Sequence, residues 1–135
     1  MLIEESVWIK NFLLTLNLNA NDIVLDIGSH SEEFRRLHQP YIDFYIFHPL
    51  RKRGVKIIYV DSKEEEGVDF ICDLNSADAD RRLSAITPAD VVLCTNLLEH
   101  VPERNIVLDR VKSLVKSGGT LILTVPYKFR YHAAP

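Results

Sequence analysis

Five short apolar runs constrain what this chain can fold into. They are residues 23–27 (IVLDI), 55–61 (VKIIYVD), 68–74 (VDFICDL), 89–96 (ADVVLCTN) and 120–126 (TLILTVP). Short continuous apolar runs are typical of strands buried on both faces, as parallel strands are. Helical or irregular connections separate the runs, and strands joined in this way form a parallel sheet with right-handed crossovers. The sequence therefore predicts an α/β fold with five strands.

The length and charge of the chain narrow its organisation and its partners. At 135 residues and 47% hydrophobic content, we expect one domain over residues 1–135 with its own core. The net charge of −3 predicts no general attraction to nucleic acid. No apolar run approaches the ~20 residues that cross a bilayer, so no membrane partner is expected. Cys72 and Cys94, without a signal peptide, predict buried thiols in the cytoplasm.

The segments before and between the apolar runs contain several candidate helices. Trp8, Phe12 and Leu16 recur at i, i+4 and predict the sheet-covering face of an N-terminal helix. Ser31 is a candidate helix cap. Residues 39–54 are interpreted as an insertion, because Pro40 and Pro49 bracket a run that could otherwise be a strand. A last helix is expected with Pro102 in its first turn and residues 118–119 (GG) at its end.

Three of the five apolar runs carry an aspartate at or near their carboxyl ends. Ligands of parallel sheets bind beyond the carboxyl ends of the strands, near the point where strand order reverses. Asp61 is suited to accept hydrogen bonds from two ribose hydroxyls, although such a residue can also cap a turn. Asp73 could accept from an adenine amino group, with the Leu74 backbone beside it. Asp26 and Gly28 form a turn next to a helix N-terminus, where backbone N–H groups favour an anionic group.

Other kinds of site find little support in the sequence. The turn reads GSHSEE, which lacks the G-x-G-x-x-G dinucleotide fingerprint, the P-loop and the nucleophile elbow. The histidines have neither paired spacing nor cysteine companions, so no metal site is predicted. His100, after the fourth strand, is a candidate general base, with a helix-capping or structural role as the alternative.

The motifs in order resemble those of the class I S-adenosylmethionine-dependent methyltransferases, in particular the type 11 group. VLDIGSHSEEFRRL stands where that family has V-L-D-I-G-C-G-x-G and a helix. IIYVDS and FICDLNS resemble its ribose-side and adenine-side segments. ADVVLCTNLLEHVPER and LVKSGGTLILTVPYKFRYHAAP resemble its fourth and fifth motifs, which are the more specific ones. The resemblance covers the chain from residue 23 onward.

This resemblance implies a Rossmann-like doubly wound sheet in three α/β/α layers and S-adenosylmethionine as the cofactor. It implies that the cofactor-binding residues are Asp26, Gly28, Ser29, His30, Asp61, Ser62, Asp73, Leu74, Thr95, Asn96 and Leu97. The first four would line the methionine and ribose side, and the last three would close the pocket beneath the sulfonium. His100 and His132 are the candidates for a catalytic base. The implied reaction is methyl transfer to a small-molecule or glycan-like acceptor.

The chain departs from the family pattern at two places. The second and third glycines of the family turn are replaced by His30 and Glu32, so the alternative is a non-catalytic binding or partner module that keeps the fold. The family fold continues past the fifth strand, whereas the expectation here is a fold truncated after it. An open strand edge pairs readily with another chain, so a homodimer is predicted.

Overall fold

The computed structural model describes residues 1–127, in which five parallel strands form one sheet. The strands are β1 (Ile23–Ile27), β2 (Lys56–Asp61), β3 (Phe70–Ile71), β4 (Ala89–Thr95) and β5 (Val115–Thr124). Their order is β3-β2-β1-β4-β5, so the direction of winding reverses between β1 and β4. The predicted α/β fold with a parallel sheet is confirmed, and a ligand crevice is expected at this reversal.

Helices cover both faces of the sheet. One face carries α1 (Ile3–Thr15) and the helical region between β1 and β2, which includes α2 (Pro40–Ile42) and α3 (His48–Lys52). The other face carries α4 (Ala79–Leu83) and α5 (Arg104–Ser113). Successive strand residues point to opposite faces, so Val24 belongs to the first core and Leu25 to the second. This is the three-layer arrangement that the resemblance implied.

The buried face of α1 differs from the predicted one. Ile9 and Leu13 are the residues that pack into the core, whereas Trp8 is 54% exposed and stacks on Phe12 at a centroid distance of 5.7 Å. The helix carries apolar residues on more than one side, so either of two stripes with i, i+4 spacing could pack on the sheet. The sequence alone did not determine which of them is buried.

Residues 39–54 are mainly helical and form part of the first layer. Two π-helical segments, Phe34–His38 and Asp43–Phe47, alternate with α2 and α3. Pro40 and Pro49 lie in the first turns of α2 and α3, where no intrahelical N–H bond is lost. The region packs on the domain, and its prolines begin helices because the fixed φ of proline suits a first turn.

Three element boundaries also differ from expectation. The third strand is only Phe70–Ile71, although its apolar run spans residues 68–74. Pro102 precedes α5, whose cap is Glu103. Gly118 and Gly119 lie inside β5 and do not terminate the helix, because pairing between β4 and β5 already begins at Val115 and shifts register before Thr120. No helix within residues 1–127 is long and apolar enough to cross a membrane.

Candidate functional site

The turn after β1 is tied to the end of β2 by backbone hydrogen bonds. Gly28 and Ser29 donate their N–H groups to the carbonyl of Val60 at 2.9 and 3.1 Å. His30 donates its N–H to Oδ2 of Asp61 at 2.9 Å. Gly28 and His30 both have left-handed backbone conformations, with φ of +77° and +56°. Left-handed residues other than glycine are uncommon and tend to cluster at functional sites.

The space beside Gly28 is also tight. A Cβ at this position would lie 3.1 Å from Cδ1 of Leu97, on the loop that follows β4. The turn after β1 and the loop after β4 therefore approach each other closely. Gly28 lines the cavity at the point where strand order reverses, and Leu97 packs next to it.

Arg35 also holds the turn after β1 in place. Its buried guanidinium donates to the carbonyls of Ser29, His30 and Gly67, with the first distance at 3.1 Å and the last at 2.8 Å. The guanidinium also lies over the ring of Tyr59, 3.7 Å from its centroid. An Arg in a polar helical stretch gave no sequence signal for this role, which depends on the loop around Gly67 folding back.

Asp61 is buried at the end of β2 and is 9% exposed. One carboxylate oxygen accepts from the N–H of His30, and the other accepts from the N–H of Lys63 at 3.1 Å. A carboxylate has about four acceptor positions, so capacity for further hydrogen bonds is left. Asp61 therefore organises the turn and still has lone pairs for a ligand.

The other residues predicted to contact a ribose or adenine lie at the ends of β2 and β3. Ser62 is exposed, and Asp73 is exposed with Oδ1 accepting the N–H of Asn75 at 2.8 Å. Leu74 is buried in the core on the α4 and α5 face. These three residues lie at the carboxyl edge of the sheet, as predicted, but they do not line the main cavity.

A cavity of about 670 Å³ opens at the carboxyl ends of β1, β4 and β5. Its volume lies within the range of small-molecule sites. The start of α1 and the helical region between β1 and β2 form its walls. Seven predicted site residues line it together: Asp26, Gly28, Ser29, His30, Thr95, Asn96 and His100. Asp61 and Leu97 contact lining residues but do not line the cavity themselves. His132 lies outside the described residues.

Burial changes the acid strength of Asp26. Only 6% of this residue is exposed, and desolvation raises the pKa of its carboxyl to about 7. The positive charge of Arg35 opposes this shift, and the negative charge of Asp61 adds to it. A carboxyl with such a pKa changes charge near neutral pH. The cavity thus contains an acid whose ionisation responds strongly to a bound cation.

His30 covers one side of the cavity with an aromatic pair. Its ring stacks on Phe34 with centroids 4.4 Å apart. Partial burial lowers the pKa of His30, whereas the neighbouring charge of Asp61 raises it. The side chain of His30, at the position where the family pattern has a glycine, therefore packs against the following helical segment.

Glu5 of α1 is a cavity residue that the sequence gave no reason to select. Its carboxylate accepts from Nδ2 of Asn96 at 2.9 Å and from Oγ1 of Thr124 at 2.5 Å. These contacts join the first helix to the ends of β4 and β5. Asn96 has a left-handed backbone conformation, with φ of +52°. The signal was absent because residues 91 and 119 positions apart meet only in the folded chain.

Glu99 and His100 lie on the loop after β4, with His100 Nε2 at 3.8 Å from Glu99 Oε1. Both line the cavity. Oε2 of Glu99 is enclosed and accepts no hydrogen bond from the described residues. Over the same part of the chain, no group of three His, Cys, Asp or Glu residues could hold a metal ion. The described part of the site therefore offers carboxyl groups and the imidazoles of His30 and His100 as candidate reactive groups.

Comparison with known proteins agrees with this geometry. A family model described as a methyltransferase domain matches residues 4–134, which is nearly the whole chain. No curated protein is significantly similar to the chain. The match spans the parallel sheet, the turn after β1 and the loop after β4. Together with the class I motif order, it shows that this chain belongs to the methyltransferase domain family.

Proposed function

We propose that this protein binds S-adenosylmethionine in the crevice after β1 and transfers its methyl group to a small-molecule or glycan-like acceptor. The observation that carries this proposal is the cavity at the point where strand order reverses, which Asp26, Gly28 and Ser29 line. When bound, the cofactor would supply a methyl group on a cationic sulfur. The carboxyl groups of Asp26 and Glu5 at the cavity favour such a cation.

The proposed residue roles follow the order of the strands. Asp26, Gly28, Ser29 and His30 hold the methionine and ribose side. Asp61 and Ser62 accept the ribose hydroxyls, and Asp73 and Leu74 contact the adenine. Thr95, Asn96 and Leu97 close the site beneath the sulfonium. Asp61 supports this assignment because two of its acceptor positions remain available.

The main catalytic contribution of the protein is to align the acceptor with the methyl donor. Methyl transfer is an in-line displacement, so holding the acceptor atom opposite the sulfur lowers the barrier by proximity. An acceptor that must lose a proton needs a base near the cavity. His100 lines the cavity and is the proposed base, and His132 is the second candidate.

A non-catalytic binding or partner module is the second proposed function. It is favoured by the turn after β1, because the N–H groups of Gly28, Ser29 and His30 already donate to acceptors within the protein. The stacking of His30 on Phe34 also fills space that the family glycine leaves open. In either role the buried thiols of Cys72 and Cys94 suit a reducing compartment, and we propose a cytoplasmic location.

Ligand-induced stabilisation separates the two functions. S-adenosylmethionine and S-adenosylhomocysteine should each raise the melting temperature, because a ligand at 100 times its Kd adds roughly 2.7 kcal/mol. Asp61→Asn keeps an amide oxygen for the His30 N–H, so we expect the variant to fold but to lose most of the shift. Asp61→Ala should abolish the shift, and Glu64→Ala, at an exposed position after β2, is the matched control.

Two outcomes would count against the cofactor proposal. Absence of a shift with either compound at millimolar concentration favours the binding module. An unchanged shift in both Asp61 variants would show that the ribose lies elsewhere. Melting temperatures measured without ligand identify any variant that is merely less stable.

A further inference from the structure

Glu99 has a hydrogen-bonding capacity that the described protein does not use. Its side chain is 22% exposed and faces the cavity from the loop after β4. Oε2 is enclosed and accepts no hydrogen bond from residues 1–127. Leaving an enclosed carboxylate oxygen without a donor is costly, and more so than for a neutral group. The position therefore suits a ligand that brings a donor.

The other cavity carboxylates are already engaged or lie elsewhere. Glu5 accepts from Asn96 and Thr124. Asp26 lies at the end of β1, beside the turn proposed for the cofactor. Among the described residues that line the cavity there is no Lys or Arg. Glu99 is thus the carboxylate at the β4 and β5 end with acceptor capacity left.

The cavity wall next to these polar groups is apolar. Ile42, Ile46, Phe47 and Leu93 contribute to it from the helical region and from β4. Such a wall suits an apolar ligand body, and the few polar groups fix its orientation. One positive group, the N-terminal ammonium of Met1, lies at the lining and donates to Oε1 of Gln39 at 3.2 Å. The acidic side chains of Glu5, Asp26 and Glu99 outnumber it, so the cavity favours a cationic ligand over an anionic one.

We propose that Glu99 binds the methyl acceptor and that the acceptor is a small amine with an apolar body. The inference rests on the proposed function and names the substrate class of the same site. A turn of the partly exposed carboxylate would bring Oε2 to the cavity surface. There a cationic amine gives Oε2 a charge-assisted hydrogen bond and neutralises the carboxylate. The same contact selects against carboxylate or phosphate acceptors.

The reaction balances with groups at this site. For an amine acceptor, the carboxylate of Glu99 takes the place of His100 as the base. The bound ammonium gives one proton to this carboxylate, which leaves the nitrogen lone pair free to attack. One N–C bond forms as the C–S bond of the methyl donor breaks, and its electron pair stays on sulfur. The methylated product carries the positive charge that the donor lost, and the proton on Glu99 passes to solvent.

Three probes of matching shape test the selectivity: phenethylamine, phenethyl alcohol and phenylacetate. Their Kd values are measured by ligand-observed NMR titration, with and without saturating S-adenosylhomocysteine. We expect the amine to bind at least about tenfold more tightly than the carboxylate. Glu99→Gln should lower amine affinity by about tenfold and leave the S-adenosylhomocysteine thermal shift unchanged. Glu103→Gln, at the exposed cap of α5, is the matched control.

The outcomes distinguish this inference from the proposed function. If S-adenosylhomocysteine does not bind but the amine preference and its loss in Glu99→Gln remain, the cofactor proposal fails and the role of Glu99 stands. Equal binding of the amine and the carboxylate, or no binding of any probe at millimolar concentration, overturns the amine assignment. Loss of the S-adenosylhomocysteine shift in Glu99→Gln assigns this residue to the cofactor and also overturns the inference.

One further variant tests whether the chain itself supplies the missing donor. Lys128 and Arg130 follow the described residues in the sequence. In the double variant Lys128→Gln/Arg130→Gln we expect the amine preference to be unchanged. A marked gain in amine affinity would show that one of these cations competes for Glu99, which contradicts an amine ligand as its principal partner.

Discussion

At the scale of single residues, Asp26 shows how burial converts an ordinary strand residue into a titrating group. It is paired in register with Tyr59 on one side and Leu93 on the other, in the middle of the sheet. Water cannot reach it freely, and the pKa of its carboxyl rises from 3.8 to about 7. Folding therefore favours the protonated acid below neutral pH.

The sign of the resulting pH dependence follows from the raised pKa. Between pH 3.8 and about 7 the unfolded chain has released the Asp26 proton while the folded protein still holds it. The free energy of unfolding that this group contributes therefore falls as pH rises through this window, by at most about 1.4 kcal/mol per pH unit. Above pH 7 the contribution is constant.

Asp26→Asn should remove this dependence. Chemical denaturation of wild type and variant across the window should give a difference in unfolding free energy, wild type minus variant, that declines with rising pH. Asp109→Asn, on the exposed side of α5, is the control and should give a flat difference. Parallel pH curves for wild type and Asp26→Asn would mean that the folded protein does not raise this pKa.

At the scale of elements, one carboxylate connects the start of α1 to the carboxyl ends of β4 and β5. Glu5 joins the first turns of the helix to Asn96 after β4 and Thr124 at the end of β5. The start of α1, with Met1 and Leu2, forms part of the cavity wall. The core contacts of Ile9 and Leu13 hold the middle of the helix independently of this carboxylate.

Glu5→Ala should therefore loosen the start of α1 without unfolding the protein. Loss of the partly buried hydrogen bonds should cost about 1–3 kcal/mol. Hydrogen exchange followed by mass spectrometry should show faster exchange in the first turns of α1, with the sheet unchanged. Glu4→Ala is the matched control, because Glu4 is exposed on the same turn. Equal exchange in the two variants would show that Glu5 does not hold the helix in place.

At the scale of the whole molecule, β5 is the last strand of the sheet, and no other strand within residues 1–127 pairs with its outer edge. Leu123, Val125 and Tyr127 at and beyond its end are exposed by 39%, 56% and 94%. An apolar strand edge is a template for pairing with a second chain. We propose that two copies associate through this edge.

Light scattering at increasing concentration should detect the dimer. Leu123→Lys should shift the mass toward the monomer, because a charge on an edge strand opposes edge-to-edge pairing. Leu37→Lys changes an exposed leucine in the segment Phe34–His38, away from β5, and should leave the mass unchanged. A monomeric wild type at high concentration would contradict the proposal.

The sequence by itself determined the five strands and their parallel arrangement. It could do so because apolar runs with turn signals between them are local, and parallel strands buried on both faces leave few other arrangements. It also predicted that Asp26, Gly28 and Asn96 meet at one edge, since the carboxyl ends of parallel strands lie together. The family motifs, too, are local in sequence, which is why the resemblance was visible before the fold.

Only the tertiary structure decided which stripe of α1 is buried, how the prolines start α2 and α3, and which carboxylates face the cavity. Burial of Ile9 in place of Trp8 depends on the shape of the sheet and of the neighbouring helical region. The contacts of Arg35 and Glu5 join residues from distant parts of the chain. Sequence periodicity reports which residues can be buried, whereas three-dimensional packing determines which of them meet.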